Sequence, residues 1–297
     1  MIQYDGHIWT DHLFALRGSV VLQIAFRVLL TGATAALVVA LFHHWPWVAL
    51  PPTAHGFVGT ALGWLLVMRT NASYDRFWEG RKQWGAIVNE TRNLVRTGSV
   101  LFAADPELAR VFARWVVALP PAIMNNLRGH RGIGPAAGLP AGEVEAILAS
   151  VHPPLHVCRR LTQLVVDART RGLITDIQQT NLDATIGLLV DYFGACERIQ
   201  KTPLPFAYVV HLRRALILFC FSVPFVVVKD FGWATIGVTL VVSYIFFGIE
   251  EIGVEIENPF GMDENDLPLE DICAGISRSS LSLVPGAQVD PAPPPRA

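Results

Sequence analysis

The sequence predicts an all-α membrane protein, with four transmembrane helices per subunit and a large helical cytoplasmic region. Of its 297 residues, 52% are hydrophobic and only 16% are charged, whereas soluble domains carry about 25% charged residues. The hydrophobic residues fall into four segments arranged as two pairs, and basic residues cluster at one end of each pair. A net charge of −2 excludes a domain-wide basic surface, so we expect no nucleic-acid partner.

The four hydrophobic segments are candidates for membrane helices, because crossing a bilayer takes about 20 apolar residues. We expect these helices at about 18–42, 47–69, 213–229 and 231–250. The third segment is short, so it spans only if its helix extends through the preceding arginines or is buried among its neighbours.

Two features of the first two segments carry further expectations. Arg27 lies near the middle of the first segment, where an ionisable side chain is costly. It faces either a carboxylate, Glu250 or Glu251, or a water-filled path. Gly59 and Gly63 in the second segment form a GxxxG pair, which predicts close packing of identical helices.

Charge asymmetry predicts how the segments are oriented. Arg17 precedes the first segment, a basic cluster between Arg69 and Arg96 follows the second, and Arg213 precedes the third. The two hairpin tips together hold one lysine, Lys229. The positive-inside rule therefore places both termini and the central region in the cytoplasm.

We expect the central region, about 70–212, to be cytoplasmic and mainly helical. Residues 74–96 mix charged and apolar side chains at helical spacing without proline, so the second segment is expected to continue as one long helix. Thr175 is the expected N-cap of an amphipathic helix that ends near Ile199, because threonine is favoured at that position. The proline-rich end of the chain predicts a disordered tail over 278–297.

A carboxylate-metal membrane enzyme is the alternative from a different class. It is suggested by four carboxylates at the end of the fourth segment: Glu250, Glu251, Glu255 and Glu257. A di-metal site of this kind also uses Glu-x-x-His pairs, and the chain contains none. GxSxG and P-loop motifs are absent as well, so we expect no catalytic residues and no enzyme activity.

Three longer motifs point to one family. The first is residues 69–85, RTNASYDRFWEGRKQWG, directly after the second segment. The second is the Asn-Pro-Phe-Gly sequence at 258–261 with its acidic continuation, and the third combines CERI at 196–199 with TPLPF at 202–206. Together they resemble a bacterial bestrophin, and the resemblance extends from Arg17 to about Ser277.

The resemblance implies a homo-pentameric ion channel around a central pore in the bacterial inner (plasma) membrane, built from one channel domain over 1–277. Chloride and other small anions are the expected permeant ions, and a monovalent-cation (sodium) channel of the same fold is the alternative. It also implies a membrane neck formed by Thr60, Trp64 and Met68, and a cytosolic aperture at Ile177. The family's neck is usually Ile, Val or Phe, so the polar Thr60 and the large Trp64 are departures.

The resemblance also marks positions that match the calcium clasp of animal members. These are Glu255, Asn258, Asp263 and Asp266, together with a backbone carbonyl near the N-terminus. Met262 and Asn265 stand where animal members have acidic residues. Fewer charges lower calcium affinity, so we expect no clasp and no cofactor, with the remaining carboxylates capping helices or pairing with arginine.

Overall fold

The computed structural model describes residues 7, 15, 17–133 and 138–287. Within these ranges the regular structure is entirely helical, with nine α-helices and two short 3-10 turns. The α-helices are α1 (Val21–His44), α2 (Pro52–Leu101), α3 (Pro106–Leu127), α4 (Ala141–Ala149), α5 (Pro153–Thr170), α6 (Asp176–Lys201), α7 (Phe206–Phe231), α8 (Thr235–Glu255) and α9 (Leu269–Leu281). The 3-10 turns are Pro46–Val48 and Gly232–Ala234.

The described residues form two compact units. The first contains those within 1–78 and 202–266, and the second contains those within 79–201 and 267–297. The first unit therefore holds α1, the beginning of α2, α7 and α8. The second holds the remainder of α2 together with α3, α4, α5, α6 and α9.

Helix packing in the first unit buries an aliphatic and aromatic core. α8 packs along α1, and α7 packs against both helices. The core that these helices form with the first part of α2 includes Ile24, Leu62, Leu66, Leu216, Phe219 and Phe247. A smaller cluster forms around Val38, Val39 and Val228.

Two helical stretches of the described chain are long and apolar enough to cross a membrane, Val21–His44 and Phe206–Glu255. The second stretch comprises α7, a 3-10 turn and α8, and it folds back as a hairpin because the two helices pack together. Gly232 makes this turn with a φ of +52°, a left-handed conformation that suits glycine. The turn delays the start of α8 to Thr235, four residues later than expected.

The other helix boundaries follow from local chemistry. α2 begins at Pro52, since proline is well accommodated in the first turn of a helix, and it continues unbroken for 50 residues. This is the long helix that the sequence predicted. α7 begins at Phe206, so it extends through Arg213, the extension that the short third segment required.

In the second unit, α3 packs against α5 and α9. Its core includes the fully buried rings of Trp84, Phe102, Phe112 and Trp115. The predicted N-cap of α6 is confirmed. The Gln178 N–H donates to Thr175 Oγ1 at 3.3 Å, and the Thr175 N–H donates to Gln178 Oε1 at 2.8 Å, which is a capping box.

The start of the predicted C-terminal tail needs correction. The sequence placed it at residue 278, but α9 continues to Leu281. Ser280, Leu281 and Val284 are buried, so this stretch belongs to the folded unit. The remainder of the predicted tail, 288–297, lies outside the described residues.

Candidate pore-lining face and its ion-pair support

The first part of α2 has one buried face and one exposed face. Leu62, Leu66, Arg69 and Ser73 are buried. Trp64 is 71% exposed and Met68 is 55% exposed, and Thr60 is exposed as well. At about 100° per residue, Trp64 lies opposite the buried set, flanked by Thr60 and Met68. The three residues expected in a neck therefore share the face that the described residues of the same subunit leave uncovered.

Two details modify what this face presents. The Thr60 hydroxyl donates to the Gly56 carbonyl oxygen at 3.0 Å, so its hydrogen atom is engaged by the helix backbone. Gly59 does not lie open for another helix, because an added Cβ would come within 2.9 Å of the Phe219 ring of α7. At Gly63, by contrast, no described residue lies within 4 Å of an added Cβ. The two glycines thus have different surroundings. Gly59 packs against α7 of its own subunit, whereas Gly63 does not.

Ile177, the expected aperture residue, lies in the first turn of α6 and is 74% exposed. The capping box at Thr175 holds the backbone of this turn. An ion pair between Arg169 and Asp176 fastens the same turn to the end of α5. Hydrogen bonding to Arg169 lowers the pKa of Asp176. The exposed, apolar side chain of Ile177 therefore projects from a helix turn whose backbone these contacts hold in place.

Glu250 is the centre of a buried ion-pair network in the first unit. Its side chain is 1% exposed, and it accepts from Arg69 Nη1 at 2.8 Å and from Arg213 Nε at 2.9 Å. Arg27 Nη1 lies 3.5 Å from the same carboxylate. A carboxylate buried this deeply needs such partners, since an uncompensated buried charge is strongly destabilising.

The network extends to two further carboxylates. Arg27 Nη2 lies 2.5 Å from Glu251, and Arg69 Nη2 lies 3.7 Å from Glu257. From the sequence, either Glu250 or Glu251 was a possible partner of Arg27, and in the structure Arg27 contacts both. Three arginines meet three glutamates, and they tie together α1, α2, α7 and α8. The sequence signal that could have predicted the pairing of Arg69 is its place directly after an apolar segment, because a cation there needs a carboxylate partner.

Glu257 also brings the family-like motifs together. Its carboxylate accepts the Leu204 N–H at 3.0 Å, and its carbonyl oxygen accepts from Arg76 Nε at 3.1 Å. Arg76 also donates to the carbonyl oxygen of Thr202. One glutamate thus joins the beginning of the Asn-Pro-Phe-Gly motif, the segment before α7 and the basic motif of α2.

The clasp-like positions make contacts that do not suit a cation. The Asn265 amide donates to the Gly18 carbonyl oxygen at 3.1 Å and to Glu255 at 2.7 Å. One amide nitrogen, a hydrogen-bond donor that cannot bind a cation, thus lies between the Gly18 carbonyl oxygen and the Glu255 carboxylate. The carboxylate of Asp266 accepts the Asp263 N–H at 2.7 Å, and Asn258 Oδ1 accepts the Phe260 N–H at 3.4 Å.

The surroundings of these positions are equally specific. Gly261 lies close against Asp266, because an added Cβ would lie 2.5 Å from Asp266 Oδ2 and would require that carboxylate to shift. Glu255 receives a second hydrogen bond, from Gln23 at 2.9 Å. Across the described part of the chain, no group of three or more His, Cys, Asp or Glu side chains is arranged to hold a metal ion. The four cysteines there are free and buried.

Comparison with known proteins identifies the relatives of this chain. Residues 1–282 match the family described as Bacterial/Fungal Bestrophin protein. The chain is 40% identical over 276 residues to a voltage-dependent anion channel-forming protein of Nostoc sp., covering 91% of this chain and 90% of that protein. It is 30% identical to the voltage-dependent anion channel-forming protein YneE of Escherichia coli, covering 97% of this chain and 96% of that protein.

Solved structures agree with this assignment. A bacterial bestrophin homologue from Klebsiella pneumoniae matches with a TM-score of 0.82 and 31% sequence identity, over 89% of this chain and 99% of that one. A crystal structure described as a membrane protein matches with a TM-score of 0.83 and 30% identity. These matches confirm the expected membrane protein, and the relatives' names confirm that it is not an enzyme. The chain is a member of the bacterial and fungal bestrophin family.

Proposed function

We propose that this protein is a homo-pentameric channel of the bacterial inner membrane that conducts chloride and other small anions. Its pore has a neck formed by Thr60, Trp64 and Met68, and a cytosolic aperture formed by Ile177. The close relatives are named as anion channel-forming proteins, and the number of subunits comes from the family resemblance. A single subunit has too few spanning helices to enclose a pore.

The observation that carries the proposal is the exposed face of α2. Trp64 is a large apolar side chain, yet 71% of it is uncovered in the subunit. The opposite face of the same helix is packed into the core and held by the Arg69–Glu250 pair. A helix fastened on one side, with an open column of Thr, Trp and Met on the other, suits a ring of identical helices around a narrow, mostly apolar constriction that gates by dewetting.

The orientation in the membrane is part of the proposal. Trp45, Trp47 and Trp233 lie at the two hairpin tips and are 52%, 80% and 75% exposed. Indole rings at such positions suit a membrane–water interface. With the basic residues at the other end of the spans, this supports tips outside the cell and both termini inside.

Ion flux through purified protein in liposomes tests the proposal. The mass of the detergent-solubilised protein should correspond to five subunits, and chloride-loaded liposomes should lose chloride only when they contain the protein. A reversal potential near the chloride equilibrium value under a salt gradient is the expected result. A value near the sodium equilibrium would favour the cation-conducting alternative, while a monomer without flux would overturn the channel.

A further inference from the structure

Asp75 lies on the same face of α2 as the residues proposed for the neck. Met68, Asn71 and Asp75 follow Trp64 at intervals of four, three and four residues, the spacing that keeps side chains on one face of a helix. All four are exposed in the subunit. At 1.5 Å per residue, Asp75 is about 10 Å beyond Met68 along the helix.

The two cations of this part of α2 turn the other way. Arg69 is buried and binds Glu250 at 2.8 Å. Arg76 donates to the carbonyl oxygens of Glu257 and Thr202. Both guanidinium groups are thus engaged within their own subunit, while the carboxylate between them in sequence remains on the open face.

Nothing in the described residues neutralises the Asp75 carboxylate through a hydrogen bond or an ion pair. Lys82, seven residues further along α2, is paired with Glu79 at 2.6 Å. With no such partner among the described residues, the carboxylate is not needed for any contact that holds this part of the subunit together. What sets Asp75 apart is therefore its place on the exposed face of α2, directly beyond the residues proposed for the neck.

We propose that Asp75 controls charge selectivity on the cytoplasmic side of the neck. This inference rests on the proposed function, because the carboxylates form a ring only when α2 helices from five subunits surround one pore. Five negative charges at one level attract cations and repel anions, as carboxylate rings do in other channels. Asp75 therefore lowers the anion-to-cation permeability ratio, whichever ion the wild type prefers.

Neutralising the ring gives the first test. In liposomes with a salt gradient, Asp75→Asn should move the reversal potential toward the chloride equilibrium value. At 0.15 M salt the screening length is about 8 Å, and five charges at about that distance change the local concentration of each ion roughly fivefold, in opposite directions for anions and cations, so the permeability ratio changes roughly twentyfold. The shift should grow at lower salt and nearly vanish at about 1 M, where the screening length is about 3 Å.

Two matched variants separate charge from structure. Asp75→Glu keeps the charge and should keep the wild-type reversal potential. Asp230→Asn removes the same charge from an exposed position at the end of α7, and it should leave the potential unchanged. An equal shift in both Asn variants would overturn the assignment to Asp75.

Charge can also be changed after assembly, which covers the case in which Asp75→Asn fails to assemble. The native cysteines are buried, so Asp75→Cys offers an accessible thiol. A cationic methanethiosulfonate should raise the anion-to-cation ratio of the Asp75→Cys channel, and an anionic one, applied to a separate sample, should lower it. If the labelled channel conducts but neither reagent moves the reversal potential at low salt, the Asp75 proposal fails and the channel stands. Absence of flux in wild-type protein would instead overturn the channel itself.

Discussion

Arg69 and Glu250 form an ion pair in which each side chain is only 1% exposed, with 2.8 Å between Arg69 Nη1 and the carboxylate. Arg213 and Arg27 contact the same carboxylate. The pair joins α2 to α8 and thereby sets which face of α2 remains open. We therefore regard it as the support of the proposed pore-lining face.

Glu250→Gln should strongly destabilise the subunit, because it leaves positive charge without compensation in a buried place. Removing one partner of a buried pair costs about 3–5 kcal/mol. The measurement is thermal unfolding of the detergent-solubilised protein. Glu264→Gln is the control, since its pair with Arg17 is exposed and is worth about 0–1 kcal/mol. Equal losses in the two variants would contradict the supporting role of Glu250.

Trp64→Ala should raise conductance with little loss of subunit stability. The side chain is mostly exposed in the subunit, and removing five indole rings would widen the neck and make it easier to wet. Leu66→Ala is the contrasting variant, because Leu66 is 2% exposed and its truncation should cost about 2–5 kcal/mol of stability. Unchanged conductance in an assembled Trp64→Ala channel, with altered conductance at Leu65→Ala, would place the pore on another face.

Gly59 and Gly63 should respond differently to alanine. The added methyl group at Gly59 meets the Phe219 ring at 2.9 Å, so Gly59→Ala should destabilise the subunit by about 1–3 kcal/mol through overpacking. No described residue lies within 4 Å of a Cβ added at Gly63, so Gly63→Ala should keep the subunit's stability or raise it by up to about 1 kcal/mol, because alanine favours a helix more than glycine does. Thermal unfolding and the mass of the oligomer distinguish the cases, and equal unfolding temperatures for the two variants would argue against the packing of Gly59.

Calcium should not affect the wild-type protein, because the Asn265 amide already links Gly18 to Glu255. Asn265→Asp replaces that donor with an acceptor. The new carboxylate would then face the Gly18 carbonyl oxygen and the Glu255 carboxylate, and all three can bind a cation through oxygen. The variant should unfold at a lower temperature in the presence of a chelator and recover on addition of millimolar calcium. Calcium-dependent unfolding of wild-type protein, or a variant indifferent to calcium, would contradict this account of the site.

Asp105 should make stability depend on acid pH. Its carboxylate accepts the Leu108 N–H at 3.0 Å and pairs with Arg171, and these contacts lower its pKa. A lowered folded-state pKa contributes stability above the unfolded value of about 3.9, and this contribution is lost as pH falls through the folded value. Wild-type protein should therefore unfold at a higher temperature than Asp105→Ala at pH 7. A difference that did not shrink below pH 4 would indicate that packing, not charge, is responsible.

Local signals in the sequence were sufficient for much of the helical architecture. The capping box at Thr175 and the unbroken α2 follow from nearest-neighbour chemistry, which depends little on the rest of the fold. Boundaries were less accurate where tertiary contacts decided them. The chain at 278–284 looked like the start of a disordered tail, yet burial of Leu281 and Val284 holds it in the second unit.

The sequence by itself determined the membrane character, the family and the residues that can line a pore, because composition, motifs and helical spacing are written along the chain. Only the tertiary structure decided the partners. It placed Arg27 against both Glu250 and Glu251, packed Gly59 onto Phe219 and set Asn265 between Gly18 and Glu255. These contacts join residues that are far apart in the chain. The periodicity of one helix indicates which of its faces is buried, but it does not indicate which other helix packs against that face.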